Sequence, residues 1–395
     1  MEQASVTIPR QQEPSWFKAY YVLLVVILIG LFQPGGGTWA WLHDIRWLYV
    51  LLISFIFSQL LTPLVIRLAW FFKILDHPDP RKIHVVPIPR LGGLAIFASF
   101  LFSTARNYHF SRELTGLVIG GSIIYVIGLM DDIRPLPARF RLLAQLVAAL
   151  VVIGHGVVLT VIPLSVPGHG YISVLITIVW LIGFTNALNF MDGVDGLATS
   201  MTMACALFFF LIAWPTRQSY LAYVTIAIFG ASMGFLPYNW KRARIFLGDA
   251  GSTFLGFMLA GLAVMGYWAN NDPVVAVSTP LLIMSIPIFD MIYTTVSRIK
   301  NGSIHTFKEW LEFAGKDHFH HRLMFLGLSE TQTVIFIIMV NLCLGLGALA
   351  LRYSGATESL LLLLQSLFFF LIIIVLMLLG RHIYDDGIGN KDTKS

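Results

Sequence analysis

Charge is scarce in this sequence. Of its 395 residues only 12% are Asp, Glu, Lys or Arg, against 57% that are hydrophobic, and the mean hydropathy is +0.78. Soluble domains carry about 25% charged residues, so a string of soluble domains is excluded. Cysteine is nearly absent: Cys205 and Cys343 lie far apart inside apolar segments, so no disulfide framework is implied and both read as small core residues. Long linkers and low-complexity stretches are also missing, and residues 1–395 read as one domain. The net charge of +5 comes without any basic soluble domain to carry it, which leaves no nucleic acid among the expected partners. In a membrane protein, basic residues first report topology and attraction to anionic headgroups.

What the chain has instead is a succession of apolar runs, most of roughly 17 to 25 residues and long enough to cross a bilayer as a helix, the third being short for a span. They fall at 17–33, 47–72, 92–104, 115–130, 141–162, 171–190, 198–214, 219–236, 252–270, 274–297, 331–351 and 357–380. The expected fold is all-α: a polytopic integral membrane protein of about 12 transmembrane helices, or 11 if the first segment is an interfacial anchor. With 12 spans, the loops at 73–91, 131–140, 190–197, 237–251 and 298–330 share one side with both termini, and that side holds 20 of the 26 Lys and Arg, counting Lys18 and Arg141 at the ends of the adjoining spans. Positive charge stays in the cytoplasm, so these loops are expected to be cytoplasmic.

The same loops collect the polar clusters "DHPDPRKIHVVPIPRLGG", "GLMDDIRP", "NFMDGVDGLA", "YNWKRARIFLGDAGST" and "GKDHFHHRL". Asp131 and Asp132 end an apolar helix, where the dipole disfavours carboxylates unless a cation compensates. Arg134, Arg139 and Arg141 are candidate partners, and a divalent metal is another. Asn186, Asn189, Asp192 and Asp195 recur at every third position, a polar stripe on a continuing helix. Such a stripe accepts from a pyrimidine base and sugar hydroxyls, though the two asparagines equally suit polar contacts between membrane helices. Asp249 precedes a span between glycines; a helix start of this kind offers backbone N–H groups to phosphate, and the acid itself would hold a bridging cation. Asp290 reads as a polar contact holding helices together.

His318, His320, His321 and Arg322 raise zinc as a rival, but two histidines are adjacent and no fourth ligand is certain. They fit better as donors to a diphosphate, with carboxylates supplying magnesium or manganese. Arg81, Lys82, His84 and Arg90 form a proline-stiffened basic loop at headgroup level, either a topology signal or a site for a lipid phosphate. Together the clusters describe a membrane-edge site for two phosphorylated substrates and a divalent metal. A transporter or flippase of a phosphorylated lipid is the main rival; it predicts charges near span centres and repeat symmetry between halves, and neither is seen.

Carried by "RKIHVVPIPRLGG", "DDIRPLPARFRLLAQ", "NALNFMDGVDGLA", "FLGDAGSTFLG" and "HFHHRL", the chain resembles the polyprenyl-phosphate N-acetylhexosamine-1-phosphate transferases. The motifs spread over about 76–323, leaving the first 70 residues, with the extra span at 17–33, and the last two spans outside. "PIPRLGG" and the histidines followed by "RL" are similar to the branch using UDP-N-acetylglucosamine. The resemblance implies a magnesium-dependent transfer of the sugar phosphate from a UDP-N-acetylhexosamine to undecaprenyl phosphate with release of UMP. It also implies an inner-membrane location, a cytoplasmic active site and a homodimer. By position, Asp131 and Asp132 become the acidic pair, with Asp131 deprotonating or orienting the lipid phosphate. Asp249 binds magnesium beside them. Asn189, Asp192, Asp195 and Asn239 hold the nucleotide; His318, His320, His321 and Arg322 contact diphosphate and sugar; Lys82 and His84 lie near the lipid phosphate. "FAGKD", before the histidines, lacks the proline and aspartate frequent in such proteins, and the sugar stays open. Direct attack and a route through a phosphorylated aspartate both remain open.

Overall fold

The computed structural model describes residues 15–33, 35–78, 86–105, 111–216, 218–269, 272–306, 309–310, 315 and 317–389; Lys82 and His84 lie outside them. The described chain is built of helices apart from one two-residue hairpin. In order these are α1 (Ser15–Leu31), α2 (Gly36–Leu42), α3 (Arg46–Phe71), β1 (Leu75–Asp76), β2 (Ile88–Pro89), α4 (Gly92–Ala105), α5 (Arg112–Ile133), α6 (Ala138–Gly154) and α7 (His169–Phe190). Then come α8 (Leu197–Ala213), α9 (Ser219–Asn239), α10 (Gly248–Met265), α11 (Pro273–Ile283), α12 (Ser285–Lys300), α13 (Phe319–Phe325), α14 (Glu330–Ala350) and α15 (Ala356–Gly389).

Each predicted apolar segment coincides with a helix or a bent helix pair. Among the described residues eight helices are long and apolar enough to cross a membrane, or up to ten if each of two bent pairs is one span. The measure stops short of twelve because α4 and α6, with 14 and 17 residues, are brief for a crossing that takes about 20. The bent pairs are α1 with α2 and α11 with α12, the second turning by 77° around Met284.

Local chemistry fixes several helix starts. Ser111 accepts from the Leu114 N–H to cap α5, Asp272 accepts from Val274 and Val275 ahead of Pro273 in α11, and Ser329 with Gln332 forms a capping box on α14. Lipid tails supply no hydrophobic drive between helices, so close backbone approach has to bring them together. Gly230 and Gly234 provide it where α9 crosses α3: a Cβ at either position would stand 2.2 Å from Ser54 Oγ or 2.3 Å from the Phe55 carbonyl oxygen. Helices α8, α9 and α10 form the buried centre, while much of α15 faces outward.

The proline-stiffened first loop is tied to the segment entering α10. Pairing of Leu75 with Pro89 and Asp76 with Ile88 sets the hairpin. The Phe246 N–H then donates to the Pro89 carbonyl (2.8 Å), and the N–H groups of Gly92 and Gly93 donate to the carbonyls of Phe246 and Leu247 (2.9 and 2.8 Å). Two motifs more than 150 residues apart thereby share one backbone network.

Candidate functional site

Four of the predicted aspartates meet where α5 ends and α10 begins. Asp132, whose side chain is fully buried, turns away from its own helix C-terminus and accepts from the first amides of α10, Asp249 N–H to Oδ1 (2.9 Å) and Ala250 N–H to Oδ2 (3.0 Å). Leu247, the residue at the cap position, offers no side-chain bond, so Asp132 caps α10 from outside. Gly248 makes room for it: its φ is +75°, and a Cβ there would lie 2.6 Å from Asp132 Oδ2. Asp131 accepts from the Leu136 N–H and pairs with Arg141 at 3.1 Å, so the arginine alternative for this acid is realised. Asp249 keeps a partly exposed carboxylate directed toward Asp131.

Arg90 stands among these acids, 3.6 Å from Asp76, 3.5 Å from Asp132 and 3.6 Å from Asp249. Burial opposes its charge, but Asp132, Asp249, Asp76 and Asp192 outweigh that and hold its pKa above the ordinary value. Sequence reasoning placed Arg90 in a basic loop, as a topology signal or a lipid-phosphate site, and not among the acids; the signal was its position directly before "LGG", the stretch that pairs with the Asp249 loop. Asp192 closes the group. Desolvation, then Asp249 and Asp132, push its pKa well up, with Arg90 opposing.

The two asparagines of α7 divide. Asn189 accepts from Ser252 Oγ on α10, while Asn186 and Gln145 of α6 exchange amide hydrogen bonds at 2.9 and 3.2 Å. Both asparagines line an open cleft together with Arg141, Gln145, Asp249 and Thr253, the aromatic Phe190 and Trp310, and the apolar Ile124, Ile127 and Leu142. Asp195 and Asn239 are not among the residues lining that cleft. Asp195 accepts from the Ala243 N–H (2.8 Å); Asn239, 2% exposed, accepts from Thr199 Oγ1 and donates to the Ile245 carbonyl. They shape the 240–247 loop that leads into α10.

The histidine motif forms the short α13, clamped by α12. Asp290 has no exposure; one oxygen accepts from His318 Nδ1 (2.8 Å) and the other from the Phe319 N–H (2.6 Å). The expected polar contact exists, but it joins α12 to the histidine helix. Arg298 binds Asp317 through two bonds of 2.7 and 2.8 Å and also meets His318 Nε2 at 3.2 Å. Burial alone would raise the Asp317 pKa, yet Arg298 holds it below the usual carboxylate range. Arg322 donates to the Asp317 carbonyl, Tyr293 and Ser297. His320 is fully buried, and burial first, then His321 and His318, hold its pKa well below that of ordinary imidazole, so it stays neutral. Among the described residues no group of three His, Cys, Asp or Glu surrounds a common point ready to hold a metal.

The glycosyl transferase family 4 model matches residues 114–267, the stretch carrying the acidic pair, the asparagine stripe and Asp249. A Bacillus subtilis protein described as a probable undecaprenyl-phosphate N-acetylglucosaminyl 1-phosphate transferase is 30% identical over 315 residues, 78% of this chain and 86% of its own length. The chain belongs to glycosyl transferase family 4. A decaprenyl-phosphate N-acetylglucosaminephosphotransferase of Mycobacterium tuberculosis is 31% identical, covering 73% of this chain and 78% of that one. The undecaprenyl-phosphate alpha-N-acetylglucosaminyl 1-phosphate transferase of Escherichia coli is 26% identical, over 76% of this chain and 83% of its own length. Family membership accounts for the polytopic helical fold. These relatives are described by transfer, and the acids here gather at helix ends, so the transporter reading finds no support.

Proposed function

We propose that the chain transfers N-acetylglucosamine-1-phosphate from UDP-N-acetylglucosamine to undecaprenyl phosphate, releasing UMP, at the cytoplasmic face of the inner membrane. One observation carries the reading. Asp131, Asp132, Asp192 and Asp249 outnumber the cations Arg90 and Arg141 among them, beside a cleft lined by both polar and apolar side chains. An excess of carboxylates at a membrane edge requires further positive charge, and oxygen ligands suit magnesium, with manganese able to replace it. Asp249, whose carboxylate is partly exposed and directed toward Asp131, is the residue to hold the ion with Asp131 beside it, while Asp132, with both oxygens on α10 amides, fixes α10 against α5. Magnesium bound there would neutralise charge on the diphosphate.

The chain's own groups then divide the work. Arg141, on the cleft wall beside Asp131, draws in the lipid phosphate while the apolar lining receives the first part of the prenyl chain. Asn189 and Asp192 hold the nucleotide side, and His321 and Arg322 approach the diphosphate from α13. An oxygen of the lipid phosphate forms a bond to the sugar-linked phosphorus; the bond from that phosphorus to the bridging oxygen breaks, and the oxygen leaves with UMP. Holding two anions in line is the main contribution required of the protein.

The test uses purified protein in detergent with undecaprenyl phosphate, magnesium and a panel of UDP-sugars, following UMP release beside Asp249→Asn. Release with UDP-N-acetylglucosamine that a chelator and the substitution abolish is the expected result. A folded protein that releases no UMP with any sugar overturns the assignment.

A further inference from the structure

We propose that Asp290 is a positioning residue of this site: it fixes the tautomer of His318, caps α13, and thereby sets how the histidine helix stands against the 191–196 loop. The proposal deepens the transferase reading and rests on it for its kinetic consequence. A carboxylate only accepts, so His318 Nδ1 must carry the proton that it donates to Asp290 at 2.8 Å. Nε2 is then a lone pair, which suits the Arg298 guanidinium 3.2 Å away; a proton there would face another donor. Both ring nitrogens of His318 are thus engaged within the protein. The histidine acts as a strut rather than as a spare donor for substrate.

The same carboxylate caps α13. His318, at the cap position, gives α13 no side-chain bond, and Asp290 accepts the Phe319 N–H in its place. Two turns along α12, Arg298 grips Asp317 on the other side of His318. Arg322 closes the frame by reaching back to Tyr293 and Ser297 of α12. One face of α12, oriented by the 77° bend at Met284, therefore holds residues 317–322 at three points.

The position so fixed reaches the acidic loop through His320. Its ring lies against Gly193, where a Cβ would come within 2.6 Å of Nε2. A shift of α13 must therefore move either that ring or the loop bearing Asp192, in a close-packed contact that has no slack. The apolar cleft residues proposed to receive the prenyl chain, Ile124, Ile127 and Leu142, belong to α5 and α6 rather than to α12 or α13.

The test compares wild type with Asp290→Asn, His318→Leu and the double variant, in kinetics and in hydrogen–deuterium exchange. In Asp290→Asn an oxygen can still accept from Phe319, but the amide N–H₂ opposes His318 Nδ1–H. The expected result is a KM for UDP-N-acetylglucosamine raised at least about tenfold and a KM for undecaprenyl phosphate within about twofold of wild type. The double variant should be no worse than the poorer single one, because both act through one contact. Exchange at 317–325 should quicken at least about tenfold, with α5 and α10 unchanged. Multiplicative losses, equal losses toward both substrates, or unchanged exchange at 317–325 would each overturn the proposal. Exchange decides the positioning even if wild type proves inactive, an outcome that sinks the transferase reading alone.

Discussion

Asp132 and Asp290 each hold the first turn of a helix other than their own, yet the two caps differ in how fully their neighbours answer one another. Around Asp290, His318, Arg298 and Asp317 complete one another's hydrogen bonds. Around Asp132, four carboxylates share Arg90 and Arg141 and border an open cleft. A balanced network holds structure, whereas an unbalanced one beside a cleft demands a ligand. The contrast assigns binding to the acid cluster and alignment to the histidine clamp.

The largest expected effect separates charge from capping. Asp249→Asn removes a carboxylate whose ion pair with Arg90 is a loose 3.6 Å, so thermal stability should hardly change. UMP release should fall about 10²–10³-fold, the scale of losing one preorganised electrostatic contact. Asp132→Ala should differ in kind. It strands the Asp249 and Ala250 amides, each at a cost of about 1–3 kcal/mol, so activity and thermal midpoint should fall together. If Asp132→Ala unfolds at the wild-type temperature, capping is not its role and the comparison fails.

Gly193→Ala probes the junction of the two regions. Overpacking of this order costs about 1–3 kcal/mol, and UMP release should drop about tenfold as the loop or His320 gives way. Adding His320→Ala removes the obstructing ring and should restore most of the loss. A double variant no better than Gly193→Ala would show that the contact does not couple loop and helix.

Much of this architecture was legible beforehand. Apolar runs announced every helix except the short α2 and α13, and short polar loops carried the acids, the asparagines and the histidines. The bend at Met284 was not read, although Pro280 and Pro287 on either side of it are the local signal. The trans caps had no local signal at all: Asp132 meets its amides 117 and 118 residues away, and Asp290 meets Phe319 at 29. Arg90 was visible as a charge, but its role depended on the pairing of Gly92 and Gly93 with the segment before Asp249. Asp195 and Asn239 show the converse. The pattern for Asp195 and the family resemblance for Asn239 announced a ligand, and the fold directs them onto the backbone of the 240–247 loop.

The smallest effect is expected at the Gln145–Asn186 pair, which lies on the cleft wall but resembles the Asp290 clamp in being internally satisfied. Hydrogen bonds between membrane helices are worth about 0.6 kcal/mol on average and about 1.7 at most, because the separated helices find other partners. A cycle of Gln145→Leu, Asn186→Leu and the double variant should therefore give a coupling in unfolding free energy below about 2 kcal/mol. If the pair only joins α6 to α7, the double variant should retain UMP release within about threefold, since leucine suits an apolar interface and leaves no stranded amide. A loss as deep as that of Asp249→Asn, with stability intact, would move the pair to the ligand-demanding side of the comparison and extend the substrate site along the cleft wall.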